Sequence, residues 1–133
     1  FGPCRASNSM STEPKFKLIV AGGRDYTNYE HLSRVLFAMA DVEFAEKDVS
    51  IVSGMARGAD SLAVRFAKDN YVELHEFPAD WHQYGKRAGF MRNARMGDFA
   101  DGLLAFWDGQ SKGTAQMISY MKKLNKFVHV INY

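Results

Sequence analysis

A chain of 133 residues, 47% of them hydrophobic, is long enough to bury one real core and too short for two domains, and its composition excludes a disordered chain. No apolar run reaches the ~18 residues that a membrane helix needs. The formal net charge of +2 and a pI near 8.7 suit a phosphorylated ligand but fall short of the pI above ~9 that marks a nucleic-acid domain.

The stretch Phe1 to Pro14 is poor in pattern. Phe1-Gly2-Pro3 reads as the scar of a cleaved fusion tag, with Met10 as the natural start, so 1–14 is expected to be a disordered tail and 15–133 a single domain. The single cysteine, Cys4, lies in that tail. No internal disulfide can form, which points to a reducing compartment: the cytoplasm, or a host's cytoplasm for a viral chain.

From Lys15 onward strand and helix patterns alternate. Phe16 to Ala21 reads as a first strand. A first helix opens near Thr27, where Thr27-x-x-Glu30 fits a capping box. Its apolar stripe is Leu32, Val35, Leu36 and Met39, the spacing of one helix face. Val49 to Ser53 is a second strand, and Ala59 to Lys68 a second helix with Leu62, Ala63, Phe66 and Ala67 inward. A third strand, Val72 to Phe77, leads into a loop bearing Pro78, Trp81 and Tyr84. A third helix covers Phe90 to Phe99, a fourth strand Gly102 to Trp107, and a fourth helix Thr114 to Leu124 with Met117, Ile118, Met121 and Leu124 on one side. Phe127 to Ile131 is the fifth strand. Continuous apolar strands joined by crossover helices predict an α/β, Rossmann-like, three-layer fold with a five-stranded parallel sheet.

Three of these strands end in a glycine-bearing loop that opens a helix: Gly22-Gly23-Arg24, Ser53-Gly54-Met55-Ala56-Arg57-Gly58-Ala59-Asp60, and Asp108-Gly109-Gln110-Ser111-Lys112-Gly113-Thr114. In a parallel sheet such loops gather on one rim, where ligands bind. Glycine allows close approach of backbone N–H groups, and the helix start adds a positive dipole end. Each loop also carries a cation: Arg24, Arg57 or Lys112. The plainer reading of each is a capped turn with a solvated charge. For Asp60, in the first turn of a helix, satisfying the helix dipole and free N–H groups is the favoured reading and needs no chemistry. Thr114 is the expected cap of the fourth helix. Arg92 and Asn93 in Gly89-Phe90-Met91-Arg92-Asn93-Ala94-Arg95-Met96 could reach the same rim. Trp81, His82 and Tyr84 either stack on a base or cover the sheet edge.

Several chemistries find no support. G-x-G-x-x-G is absent, and Ser53 ends the second strand where a dinucleotide enzyme needs an acid. G-x-S-x-G is absent too. His31, His75, His82 and His129 lack metal-ligand spacing, so neither a metal nor a cofactor is expected.

Taken together, G-G-R-D-Y (Gly22 to Tyr26), S-G-M-A-R-G-A-D (Ser53 to Asp60), P-A-D-W (Pro78 to Trp81), G-F-M-R-N-A-R-M (Gly89 to Met96) and F-W-D-G-Q-S-K-G-T (Phe106 to Thr114) resemble the SLOG superfamily. This Rossmann-like group is named for Smf/DprA and the plant lonely-guy enzymes, and the YspA-like branch is the nearest in pattern. The resemblance implies strand order 3-2-1-4-5, a nucleotide-type ligand at the strand ends, and often a homodimer. Lonely-guy enzymes hydrolyse the N-glycosidic bond of nucleoside monophosphates with P-G-G-x-G-T-x-x-E. Gly113-Thr114 matches the G-T pair, but Met117 stands at the glutamate. Met91-Arg92-Asn93 resembles only loosely their M-x-x-R-K. Smf/DprA proteins carry S-G-x-A-x-G-x-D and bind single-stranded DNA, and other SLOG domains sense ADP-ribose-type signals.

The expected function is binding of a nucleotide or NAD-derived phosphorylated ligand, as sensor or sequestering protein. The candidate ligand residues are Gly22, Gly23, Arg24, Ser53, Gly54, Arg57, Gly58, Arg92, Asn93, Asp108, Gly109, Gly113 and Thr114. The alternatives are an N-glycosidic hydrolase, with Asp60 and Arg92 catalytic, and single-stranded nucleic-acid binding. No membrane partner is expected.

Overall fold

In β1 (Lys15–Gly22) the consecutive residues Leu18, Ile19 and Val20 are all apolar, so both faces of this strand must be covered. The computed structural model, which describes residues 15–42 and 48–133, meets that demand. β1, β2 (Asp48–Ser53), β3 (Leu74–Glu76), β4 (Gly102–Trp107) and β5 (Phe127–Asn132) form one parallel sheet in the order β3-β2-β1-β4-β5. Leu18 and Val20 face α1 (Tyr29–Val42) and α2 (Ala59–Asp69), where Leu32, Leu36 and Phe66 are fully buried. Ile19 and Ala21 face α4 (Ala88–Phe99) and α5 (Lys112–Lys123), packing with Met96, Met117 and Met121. Each large buried side chain contributes roughly 1.5–3 kcal/mol. Among the described residues no helix is long and apolar enough to cross a membrane.

The expected strand order and three-layer architecture are present. The winding reverses between β1 and β4, whose ends lie side by side with Gly22 in register with Phe106. That switch point fixes where a ligand crevice opens.

Local differences have local causes. The cap of α1 is Asn28, whose Oδ1 accepts the His31 N–H at 3.0 Å, so the capping box expected at Thr27 does not form. The cap of α5 is Ser111, whose hydroxyl accepts the Thr114 N–H, so the helix starts earlier than Thr114. Asp108 prepares that start by accepting from Gln110 N and Ser111 N, both at 2.9 Å. β3 is shorter than expected, because the chain turns through Tyr71 at φ +54 and Val72 N bonds Ala67 O. The expected loop after Pro78 instead contains α3 (Trp81–Tyr84) and a 3₁₀ turn, Gly85–Arg87, that runs into α4. Leu124 lies beyond the end of α5 and is exposed rather than inward.

Candidate functional site

The second glycine loop is closed by its own polar groups. The Ser53 hydroxyl accepts the Met55 N–H at 3.1 Å and donates to Asp60 O at 3.2 Å. Asp60, the second residue of α2, reaches back so that Oδ2 accepts from Ala56 N at 3.4 Å. Ser53 is thus occupied within the loop and fully buried. Its hydroxyl holds the loop's shape.

α4 inserts a cation into this arrangement. The buried Arg92 guanidinium donates through Nη1 to Gly54 O and through Nε to Asn93 Oδ1 at 2.9 Å. Asn93 in turn donates to Gly113 O at 3.3 Å and Gln116 Oε1 at 3.0 Å. One polar chain therefore runs from the β2 loop through α4 to the first turn of α5. A Cβ on Gly54 would lie 2.7 Å from Arg92 Nη1 and 2.9 Å from Asp60 Oδ2. Gly54 is what allows the guanidinium and the carboxylate to converge there.

These groups open onto a cleft at the switch point. It is lined by Gly22, Arg24, Asp60, Arg92, Asn93, Gly113 and Thr114 from among the expected residues. Ala21, Ala56, Met96, Ser111 and Met117 complete it. A neighbouring opening is lined by Gly54, Met55, Ala56 and Arg57, and shares Arg24 and Arg92 with the cleft. Thus the structure brings together most of the expected site.

Other expected residues serve the chain itself. Gly23 N donates to Phe106 O at 3.1 Å, and Gly23 O accepts from Tyr26 N and Ala59 N. A Cβ on Gly23 would meet the Tyr133 hydroxyl, which is itself bonded to Asp25 at 2.6 Å. Gly58 adopts φ +78, and a Cβ there would lie 2.1 Å from Gly23 O. Both glycines let the first and second loops pack together. Asp108 and Gly109 stand outside the cleft, and the Asp108 carboxylate is engaged in starting α5. Thr114 is buried and lines the cleft, though it does not cap.

Electrostatically the cleft suits an anion. Arg24 is exposed at its mouth, Arg92 is buried in its wall, and α2 and α5 both start at it. Burial pushes the Asp60 carboxyl up to about 6, against the opposing pull of Arg92 and of backbone N–H groups of the loop. Burial also lowers the Arg92 pKa, against the pull of Asp60. A carboxyl poised near neutrality can exchange a proton at physiological pH. Met117, at the position of the lonely-guy glutamate, is fully buried in the cleft floor and offers no such group. Among the described residues no cluster of His, Cys, Asp and Glu could hold a metal ion.

The sequence did not single out Ser111, which becomes both cap and cleft lining. Its signal was available as a serine three residues after Asp108 and three before Thr114, the spacing of two successive capping bonds. Nor did it single out Gly89, whose role appears only once α3 is in place.

Residues 16–84 match the model of the YspA, cpYpsA-related SLOG family, which is just over half of the 133 residues. The chain belongs to this family. The match includes the first two glycine loops, Asp60 and Trp81, while Arg92, Asn93 and Gly113 lie beyond it. The chain is also similar to the Gene 61 protein of Mycobacterium phage D29, with 40% identity over 91 residues that cover 62% of this chain and 70% of the phage protein. Among solved structures it resembles DNA processing protein A from Helicobacter pylori, described for its single-stranded DNA binding mode, with a TM-score of 0.63 at 19% identity. That likeness covers 86% of this chain but only 64% of the Helicobacter chain, and it concerns the fold alone.

Proposed function

We propose that this SLOG domain binds a nucleotide or NAD-derived phosphorylated ligand, an ADP-ribose-like signal or a nucleoside monophosphate, at the C-terminal rim of its sheet. The observation that carries this reading is the convergence of Arg24 and the buried Arg92 with the starts of α2 and α5 on one cleft at the switch point. Arginine forks bind phosphate oxygens through paired hydrogen bonds. The polar chain from Gly54 through Arg92 and Asn93 to Gly113 holds the wall in place before any ligand arrives. Because Met117 replaces the expected acid, sensing or sequestration accounts for the site with fewer assumptions than turnover.

A panel of nucleoside monophosphates, ADP-ribose and NAD in a thermal-shift assay tests this. A ligand present at 100 times its Kd stabilises by about 2.7 kcal/mol, several degrees for a domain of this size. Arg24→Ala should remove most of that shift while leaving the ligand-free melting point nearly unchanged, since Arg24 is exposed. No shift with any phosphorylated compound refutes the reading.

Two other readings have a specific observation behind them. Asp60 near 6 favours N-glycosidic hydrolysis with this carboxyl as the acid–base group, and release of free base from a nucleoside monophosphate, abolished in Asp60→Asn, tests it. The likeness to DNA processing protein A favours single-stranded nucleic-acid binding. That reading requires oligonucleotide affinity that falls steeply with salt.

A further inference from the structure

We propose that the indole of Trp81 is the platform on which the base of the bound nucleotide stacks. The site would then take an aromatic base joined to phosphate, in a mononucleotide-type ligand, and would discriminate against a bare sugar phosphate. This rests on the phosphate reading above and adds the chemistry of the ligand's other end.

Trp81 is placed with care. Asp80 caps α3 by accepting the Gln83 N–H at 3.0 Å, which fixes Trp81 as the first helical residue. Below the ring sits Gly89, in the first turn of α4. A Cβ there would lie 3.1 Å from Trp81 Cη2 and 3.7 Å from Arg92 Nη2. Glycine is a poor helix residue, and here it seats the indole beside the guanidinium. Even the Cβ of an alanine there would require the ring to give by a few tenths of an ångström.

The ring is not spent on the core. Trp81 is 49% exposed and belongs to neither cluster that covers the sheet. An indole that served only to close the sheet edge would be packed into one of them. Instead Trp81 borders two openings. It lines one of them with Phe90, itself 47% exposed, and the other with Met55. Arg24 and Arg92 wall both openings as well as the central cleft. A ligand with its phosphate on these arginines therefore reaches the indole face without leaving the site.

The same geometry describes how the base is recognised. Asn93, the uncharged polar side chain on the Phe90 side, has its amide nitrogen engaged with Gly113 and Gln116 and its oxygen with Arg92. The base is held by its face and not read at its edge. Stacking on an aromatic ring tolerates different bases, so adenine and guanine nucleotides should bind within a few-fold of each other.

Calorimetric titration of the full chain and its Trp81→Ala and Trp81→Phe variants, with AMP, ADP-ribose, ribose 5-phosphate and a short deoxyribo-oligonucleotide, tests the proposal. Trp81→Ala should weaken AMP or ADP-ribose by roughly 5- to 150-fold, the range that stacking one base is worth. It should leave ribose 5-phosphate within twofold, and Trp81→Phe should recover most of the loss. Base-bearing ligands that bind Trp81→Ala as well as the unaltered chain overturn the stacking role while leaving the phosphate site standing. An equal loss for ribose 5-phosphate also overturns it, because Trp81 would then only shape the arginine wall. If the unaltered chain binds none of the small phosphates, the phosphate reading and this proposal fall together. If it binds the oligonucleotide alone, the mononucleotide assignment is overturned whatever Trp81→Ala does.

Discussion

Asp60 makes a prediction that can fail in either direction. In an unfolded chain its carboxyl titrates near 3.8, and in the fold burial raises it to about 6. A raised carboxylate pKa means the folded state binds the proton more tightly than the unfolded state does. The fold therefore loses stability from this group as pH rises from about 4, and the loss is complete above about 6 to 7. A shift of about two units corresponds to roughly 3 kcal/mol, and Asp60 is only 5% exposed, so solvent screens little of it. Asp60→Asn removes the titration and keeps the side chain's shape. Melting temperature measured from pH 4 to pH 8 for both proteins isolates the effect, because other titrating groups act on both alike. The unaltered chain should lose ground to Asp60→Asn by roughly 10 °C across that range, with a plateau above pH 7. The constant offset between the two reports the exchange of a neutral carboxyl for an amide and carries no pH dependence here, because the attraction between ionised Asp60 and Arg92 is already part of the titration. A flat difference would mean that the carboxyl is hydrated. A difference of opposite sign would mean that Arg92 and the loop N–H groups outweigh burial, and either result refutes the reasoning.

Glycines of the same loops should respond in opposite ways. Gly58→Ala combines φ +78 with a Cβ 2.1 Å from Gly23 O, so it should cost about 3 kcal/mol or more, read as a large drop in the urea midpoint. Gly113→Ala meets nothing within 4 Å. It should match or slightly exceed the parent in melting temperature, yet weaken a cleft ligand by about tenfold, since its Cβ occupies cleft space worth about 1–3 kcal/mol when overfilled. Lys126→Met removes an ammonium that donates to Gly97 O at 2.7 Å, Ala100 O at 2.8 Å and Asp98 O at 3.3 Å, at the end of α4. It should lower stability by about 1–3 kcal/mol while leaving ligand affinity unchanged.

The architecture was legible because its signals are short-range. Leu18-Ile19-Val20 demands cover on two faces whatever surrounds it, and Leu32, Leu36 and Met39 repeat at helix spacing in one short segment. The rim followed from the same logic, since parallel strands bring their outgoing loops to one edge. What the sequence could not separate is glycine that leaves open space at the cleft from glycine that the chain's own packing requires. Gly58 and Gly113 both precede or open a helix beside a cation, and nothing local distinguishes them. The difference lies in what a Cβ would strike: for Gly58 it is the backbone of Gly23 and Arg24, far back in sequence, and for Gly113 it is open space. Ser53 and Asp108 went the same way, their polar atoms claimed by bonds within their own loops. Trp81 shows the converse. Its loop looked irregular because α3 is only four residues long, too short to carry a helical period. The seat that gives the ring its orientation, Gly89, belongs to the next helix. Glycine inside a helix pattern is usually scored against the helix. Here the absence of a side chain at Gly89 leaves room for an indole beside Arg92 and for a flat apolar neighbour to the proposed anion site.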